Sequence, residues 1–385
     1  MTQTLERAST GGERLAIVHD YMTQLGGAER VAGIMAQALP SARLLTSVHA
    51  AADVPLNLIG GRPWQTSFLQ PLAGRIPLKA LLPLLPKAVA SLDISDSDLV
   101  ISNSSAFAHH VRARSGATHF CYCSTPAHFL WNPQEYFRGR ESLIRVLSPL
   151  LARLRKLDLD AAARVDTYVA NSRYTAARIE SIYGRDAKVV YPPVETARFR
   201  PSRDRSGRFV VVSRLVPAKR VDLVVEAANR RELPLDVIGR GPELVRLRRL
   251  AGPTVRLLGW QPDTLVRRVM AESTAVVIAG TEDFGLVTAE AQASGRPPVA
   301  YAAGGAIEIV EDGNTGFLFQ EQTPEAIGEA MQHARDRDLE TAGLVASAAR
   351  FDVPVFLEAL TSVLEAARHA GVAPTRAPAT AGARL

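Results

Sequence analysis

Cysteine is nearly absent: the 385 residues hold two, Cys121 and Cys123. Side chains two positions apart on a strand point to the same face, and such close neighbours seldom form a bridge. No further cysteine and no histidine cluster completes a ligand set. The pair therefore reads as buried strand residues, not as a disulfide framework or a metal site. Aromatic residues are scarce as well, at 6%. No Arg/Lys stripe is interleaved with aromatic platforms, which argues against a nucleic-acid surface. No apolar run reaches the roughly 18 residues that a membrane-spanning helix needs. Residues 1–14 are polar and contain Glu6 and Glu13, so they lack the apolar region of a signal peptide. The expectation is an uncleaved cytoplasmic protein, soluble or peripheral on the inner face of the cytoplasmic membrane. Lysine is rare too, since 40 of the 45 basic residues are arginine.

What the chain does have is apolar mass. Hydrophobic residues make up 47%, enough for a large core and incompatible with global disorder. At roughly 150 residues per domain, the length points to two domains. Residues 1–195 carry 21 Lys+Arg against 16 Asp+Glu, and residues 196–385 carry 24 against 23. A mildly basic first half suits phosphate-bearing ligands, nucleic acid or an anionic membrane, and composition does not choose among them.

Short apolar runs alternate with helical patterns throughout. The runs at 14–19, 43–48, 99–102, 119–124, 167–170 and 188–191 read as strands covered on both faces. Ser172 is a candidate N-cap for a helix over 174–183, and Gly184 a candidate stop. Tyr191-Pro192-Pro193-Val194 removes two backbone donors and reads as an extended linker. The alternation then restarts with strands at 209–213, 235–238, 255–258, 275–279, 298–301 and 316–319. Helices are expected at 220–231, 243–250, 263–272, 286–294 and 324–335, the last opened by Thr323-Pro324-Glu325. Two such blocks imply two doubly wound, Rossmann-like α/β domains facing each other across a cleft, with ligands at the carboxyl ends of the strands. The assignment is 1–195 for the first domain, 196–350 for the second, 351–370 for a final helix and 371–385 for a disordered tail.

The most informative stretch is Gly280-Thr281-Glu282-Asp283-Phe284-Gly285-Leu286, between a strand and a helix that carries Glu290. Backbone amides of Phe284, Gly285, Leu286 and Val287 open that helix, where free N–H groups and the helix dipole favour an anion. Gly285 permits close approach. Carboxylates beside an anion site suit sugar hydroxyls better than phosphate. Upstream, Ser213-Arg214-Leu215-Val216-Pro217-Ala218-Lys219 follows a strand, and its Arg and Lys can clamp a diphosphate. In the first half, His19-Asp20-Tyr21 ends a strand and Gly26-Gly27-Ala28-Glu29-Arg30 starts a helix. This is neither G-x-G-x-x-G nor a Walker sequence, but it has small residues before a helix N-terminus. A nicotinamide oxidoreductase would need the missing dinucleotide fingerprint.

Taken jointly, these residues resemble the retaining nucleotide-sugar glycosyltransferases of family 4, with the GT-B fold, over nearly the whole chain. Glu282 and Glu290 match the family's E-x7-E signature. Ser213, Arg214, Leu215 and Lys219 match S-R-L-x-x-x-K, and Gly26 with Gly27 match the glycine-rich loop. Gly304-Gly305 with Glu308, and Asp312-Gly313-Asn314-Thr315-Gly316, fit G-G-x-x-E and D-G-x-x-G. Residues 122–131 and 168–172 look most like the bacterial mannosyltransferase branch of polysaccharide assembly. One departure stands out. Where the family often has Tyr-x-His-Thr-Pro contacting the sugar, this chain has Tyr122-Cys123-Ser124-Thr125-Pro126, with His128 following. Ser124 can hydrogen-bond a hydroxyl but is no base near neutral pH.

The resemblance implies hexose transfer, with mannose from GDP-mannose favoured, to a glycan or lipid-linked acceptor in cell-envelope glycan synthesis. Anomeric configuration would be retained by a same-face mechanism in which the leaving diphosphate helps deprotonate the acceptor. Arg214, Lys219 and the 284–287 amides would stabilise the diphosphate, Glu282 would orient the sugar and Glu290 the ribose. Ser124 and His128 are candidates for the sugar, and Gly241 and Trp260 border the expected base pocket. No Asp-x-Asp motif is apparent at the expected site, so no essential metal or cofactor is expected. Domain closure is expected, as is a final helix, 355–370 with Phe351 and Phe356 near its start, crossing back to the first domain. The stretches 67–92 and 143–156 mix Leu and Ile with Arg75, Lys79, Lys87, Arg145, Arg153, Arg155 and Lys156, and could lie at an anionic membrane or be core helices with solvated edges. The alternatives are a UDP-sugar enzyme, an epimerase or glucan synthase of the same fold, or an inactive nucleotide-sugar-binding member.

Overall fold

The computed structural model describes residues 14–369 apart from Ala51, Asp53 and Arg140. The expected tail beyond residue 370 and nearly all of the polar N-terminal stretch lie outside the described residues. Among those described, the chain forms two compact units. The first comprises 14–134, 139–193 and 354–369; the second comprises 135–138 and 194–353.

The first unit is built on a parallel sheet of β1 (Leu15–His19), β2 (Arg43–Thr46), β3 (Gln65–Thr66), β4 (Leu99–Ser104), β5 (Thr118–Cys123), β6 (Thr167–Ala170) and β7 (Ala187–Val189). Their spatial order is β3-β2-β1-β4-β5-β6-β7. Every residue of β1 and β4 is buried, as the unbroken apolar runs imply. The second unit repeats the plan with β8 (Phe209–Val212), β9 (Leu235–Ile238), β10 (Val255–Gly259), β11 (Val276–Ile278), β12 (Pro298–Tyr301) and β13 (Phe317–Phe319), in the order β10-β9-β8-β11-β12-β13. In each sheet the winding direction reverses once, between β1 and β4 and between β8 and β11. Adjacent loops diverge at such a reversal and leave a crevice beyond the strands' carboxyl ends.

Local signals set some of the boundaries. Ser172 Oγ accepts from Thr175 N at 2.9 Å and caps the helix Arg173–Tyr183. Gly184, at φ 62°, ends it. Thr323 Oγ1 accepts from Ala326 N at 3.2 Å at the start of the helix Pro324–Asp336. The chain leaves the first unit at Pro193, inside the double-proline linker. Cys121 and Cys123 are buried free thiols on β5.

The structure differs from expectation in several places. The edge strand β3 has two residues, too short to show a period. The helix Glu141–Ala162 is longer than the amphipathic stretch read from the sequence. The final helix is Val353–His369, and its Phe356, Leu360 and Leu364 join the core of the first unit, with Phe356 edge-on to Tyr122 at 5.7 Å. Phe351 does not share that core. It precedes the helix and packs edge-on against Phe284 in the second unit at 5.1 Å.

Candidate functional site

In the second unit the loops after β8 and β11 flank the reversal point, and they carry the motif residues. Lys219 ends a short 3-10 turn, Pro217–Lys219, and its Nζ lies 2.5 Å from Glu282 Oε2. Both side chains are about four-fifths buried, so the pair sits largely out of water. Arg214 lies on the same loop as Lys219 and is exposed. Glycines explain how the loops come together. A Cβ on Gly280 would stand 2.7 Å from Ala218 O, so the loop with Glu282 touches the backbone before Lys219. A Cβ on Gly304 or Gly305 would stand 2.1 Å from Glu282 O or 2.2 Å from Phe284 O. The Gly305 amide donates to Glu282 O at 2.8 Å. The loop after β12 thus buttresses the Glu282–Phe284 backbone. Gly285, at φ 98°, turns the chain into the helix Leu286–Ala293, on which Glu290 is half-buried. The amides of Leu286 and Val287 lie in the first turn, where a helix supplies no acceptor of its own.

Gly241 has a structural reason of its own. A Cβ there would stand 2.2 Å from Leu215 O, and Leu215 N donates to Arg240 O at 2.9 Å. The loop after β9 is therefore seated on the Arg214 loop. Trp260 follows β10 and is 65% exposed.

In the first unit, the loop after β1 leads to the helix Gly27–Ala38. Glu29 Oε2 accepts from Gly26 N at 3.0 Å, so that amide is already satisfied and the helix opening offers less than the glycines suggest. Asp20 is buried, and its carboxylate accepts the amides of Ser105, Ala106, Phe107 and Ala108, building the turn after β4. Ser124, half-buried, stands at the carboxyl end of β5, its amide bonded to Ser104 O at 2.7 Å. His128 opens the short helix His128–Trp131, with Nε2 at 3.3 Å from Arg178 Nη1.

Sequence reasoning missed the groups that hold this segment. Arg178 donates to Thr125 Oγ1 at 2.5 Å and to Pro126 O at 3.2 Å. Asp158, fully buried on the helix Glu141–Ala162, accepts from Trp131 Nε1 at 2.7 Å and from Tyr183 Oη at 2.8 Å. Its other oxygen lies 3.1 Å from His109 Nε2 and 3.2 Å from His110 Nε2. Burial alone would lower the pKa of His109, but the charge and contact of Asp158 outweigh it and raise it. Burial and the positive His109 push His110 down to about 4, against the raising effect of its bond to Asp158. Burial would raise Asp158, but His109 and His110 hold it below the usual carboxylate range. The sequence showed no histidine cluster, and the fold makes one: the ligand atoms of His109, His110 and Asp158 lie within 4.8 Å of one another. His110 Nε2 is hydrogen-bonded to Asp158 Oδ1 and His109 Nδ1 lies 3.1 Å from Ser104 Oγ, while His109 Nε2 approaches the same Asp158 oxygen without hydrogen-bond geometry. Adjacent histidines were the available signal, but nothing local pointed to residue 158.

The family model described as Glycosyltransferase Family 4 matches residues 25–198, and that of Glycosyl transferases group 1 matches residues 195–343. A D-inositol 3-phosphate glycosyltransferase of Acidothermus cellulolyticus is 32% identical over 231 residues, 50% of this chain and 52% of the relative. A GDP-mannose-dependent alpha-(1-6)-phosphatidylinositol monomannoside mannosyltransferase of Mycolicibacterium smegmatis is 35% identical over 210 residues, 46% of this chain and 54% of the relative. The chain thus spans about half the length of these curated relatives. Among solved structures, Anabaena Alr3699/HepE in complex with UDP-glucose aligns with a TM-score of 0.67 at 21% identity, covering 91% of this chain and 99% of that one. That likeness shows a shared fold.

Proposed function

The chain belongs to glycosyltransferase family 4 with the GT-B fold, and from that premise we propose that it transfers a hexose from a nucleotide sugar to a glycan or lipid-linked acceptor. The observation that carries this reading is the Lys219–Glu282 pair beside the open first turn of the helix Leu286–Ala293. A cation and free amides suit a diphosphate, and an adjacent carboxylate suits sugar hydroxyls. In the resting pair each group neutralises the other. Binding would redirect Lys219 to phosphate and Glu282 to the sugar, with Arg214 as the second cation and Glu290 on the ribose. Configuration is retained in this reading, and the leaving diphosphate takes the acceptor proton. Catalysis then rests on placement and on stabilising the charge that grows on the diphosphate. No metal ion or other cofactor is assigned a role.

GDP-mannose is the favoured donor, supported by the likeness to the GDP-mannose-dependent mannosyltransferase of Mycolicibacterium smegmatis. A UDP-sugar is the second reading, supported by the UDP-glucose in the Anabaena complex. The acceptor is assigned to the first unit. Within the stretches 67–92 and 143–156, Val146 (76% exposed), Phe68 (51%) and Leu84 (43%) are exposed, as are Arg75, Lys87, Arg145 and Lys156, and this mixture is the ground for proposing an anionic inner-membrane surface as partner. Among the described residues, no helix is long and apolar enough to cross a membrane.

A thermal-shift panel of GDP, GDP-mannose, UDP, UDP-glucose and UDP-N-acetylglucosamine tests the donor. At a hundredfold excess over Kd a ligand stabilises by about 2.7 kcal/mol. Shifts with the guanosine compounds alone would support mannose, and shifts with the uridine compounds alone would remove it. Lys219→Ala and Arg214→Ala should lower kcat more than they weaken nucleotide binding. If both variants turned over at the parent rate, the diphosphate clamp would be wrong.

A further inference from the structure

One buried carboxylate in the first unit joins elements that are far apart in sequence. Asp158 meets His109 and His110 from the turn after β4, Trp131 from the segment after β5, and Tyr183 from the helix Arg173–Tyr183. Arg155 lies three residues before Asp158, on the same face of the helix Glu141–Ala162. Its Nε donates to Leu130 O at 2.7 Å, and its guanidinium lies 5.9 Å from the centre of the Trp131 ring. Trp131 is therefore gripped at its indole N–H, over its ring and at the preceding carbonyl. Upstream, Arg178 fixes Thr125 and Pro126 and touches His128.

We propose that Asp158 and Arg155 are positioning residues for sugar transfer: they clamp Trp131 and so set the place of residues 124–131, which hold Ser124 and His128. The proposal rests on the reading above that this segment meets the transferred sugar. A buried carboxylate is an expensive way to stabilise a core, because desolvation opposes it and apolar packing of equal volume often does as well. One Asp158 oxygen faces His109 and His110, which favour its charged form, and its second oxygen accepts from Trp131 and Tyr183. Such an arrangement fixes geometry in a way that apolar contacts do not. It also makes the helix Glu141–Ala162, whose first half is largely exposed, the rigid back of the segment.

The test uses the full chain. Asp158→Asn would leave His109 and His110 facing no carboxylate in a buried site and endanger the fold, so the deciding variants are Trp131→Phe, which keeps a ring and loses the N–H, and Arg155→Gln. Hydrogen exchange of residues 124–131 should quicken at least severalfold in both, with β1 and β4 unchanged. The kcat for sugar transfer should fall about tenfold to a hundredfold, as misplacement by about 1 Å can produce. The nucleotide Kd, set by the second unit, should stay within twofold. Unchanged exchange would show that there is no clamp. Faster exchange with unchanged kcat would leave the clamp purely structural, and a fall in kcat matched by a weaker nucleotide Kd would signify general damage; either result overturns the proposal. A parent protein that transfers sugar from no donor would sink the functional reading, and the exchange measurement would still decide whether the clamp exists.

Discussion

His119 shows how burial sets the pH response of the first unit. It lies on β5 at 1% exposure, with Nε2 2.8 Å from Ser102 Oγ. Burial, then the positive charges of His109 and Arg164, lower its pKa to about 3. The unfolded chain takes up the proton near pH 6.5, well before the folded one. Stability from this group is full above that pH and is lost as pH falls toward 3, at up to about 1.4 kcal/mol per pH unit. His110, lowered to about 4, adds to the same limb. His109 has the opposite sign: its raised pKa favours the fold below pH 6.5, and that contribution is lost as pH rises through the folded value. His119→Gln should flatten the fall in urea midpoint between pH 7 and 5, and an unaltered slope would refute the assignment. Glycines give a paired prediction. A methyl at Gly305 would collide with Phe284 O, whereas one at Gly343, on the helix Thr341–Ala349, meets nothing within 4 Å. Gly305→Ala should cost about 1–3 kcal/mol and most of the activity. Gly343→Ala should be neutral or stabilising by up to about 1 kcal/mol. Equal melting temperatures for the two variants would contradict this account.

Among the elements, the final helix carries the clearest packing consequence. Phe356 is buried against Tyr122 in the core of the first unit. Phe356→Ala should destabilise that unit by about 3–5 kcal/mol. Hydrogen exchange would check it, with protection lost in β1 and β4 and kept in β8 and β11. Helices with local punctuation were legible in advance, because Ser172, Gly184 and Thr323 act within a few residues of themselves. The region 56–90 was not. Its short turns, Leu56–Leu58, Gln70–Leu72 and Leu82–Leu84, lack the length to establish a period, and β3 takes its place by pairing with β2. Phe351 and Phe356 looked alike in sequence because hydrophobicity does not say which core a side chain joins. The chain passes between the units at Val353–Pro354, so the two rings fall on different sides of that passage.

For the molecule as a whole, central strands buried on both faces made both sheets readable, although the edge strand β7 is largely exposed. The motif residues then follow from topology: Arg214 and Lys219 lie after β8, Glu282 after β11 and Ser124 after β5, all at carboxyl ends. Lys219 and Glu282, 63 positions apart, meet because β8 and β11 are neighbours at the reversal point. What sequence could not display were partners without local spacing. Asp158, Trp131 and His109 share no periodic relation, and only the folded first unit brings them together. Gly26 and Gly241 also have local duties that spacing does not reveal, one amide satisfied by Glu29 and one close backbone approach to Leu215.

The division of the chain also orders its birth on the ribosome. Residues 194–353 are contiguous and bring nearly all of their own core, so the second unit can close as soon as it has emerged. The first unit begins earlier and finishes later, since Phe356, Leu360 and Leu364 arrive only after the whole second unit has been made. During translation its half-built core is left open on the side those residues will cover, and a ribosome that stalls before residue 354 releases a chain with one finished unit and one exposed apolar face. Such fragments are natural clients for chaperones and proteases.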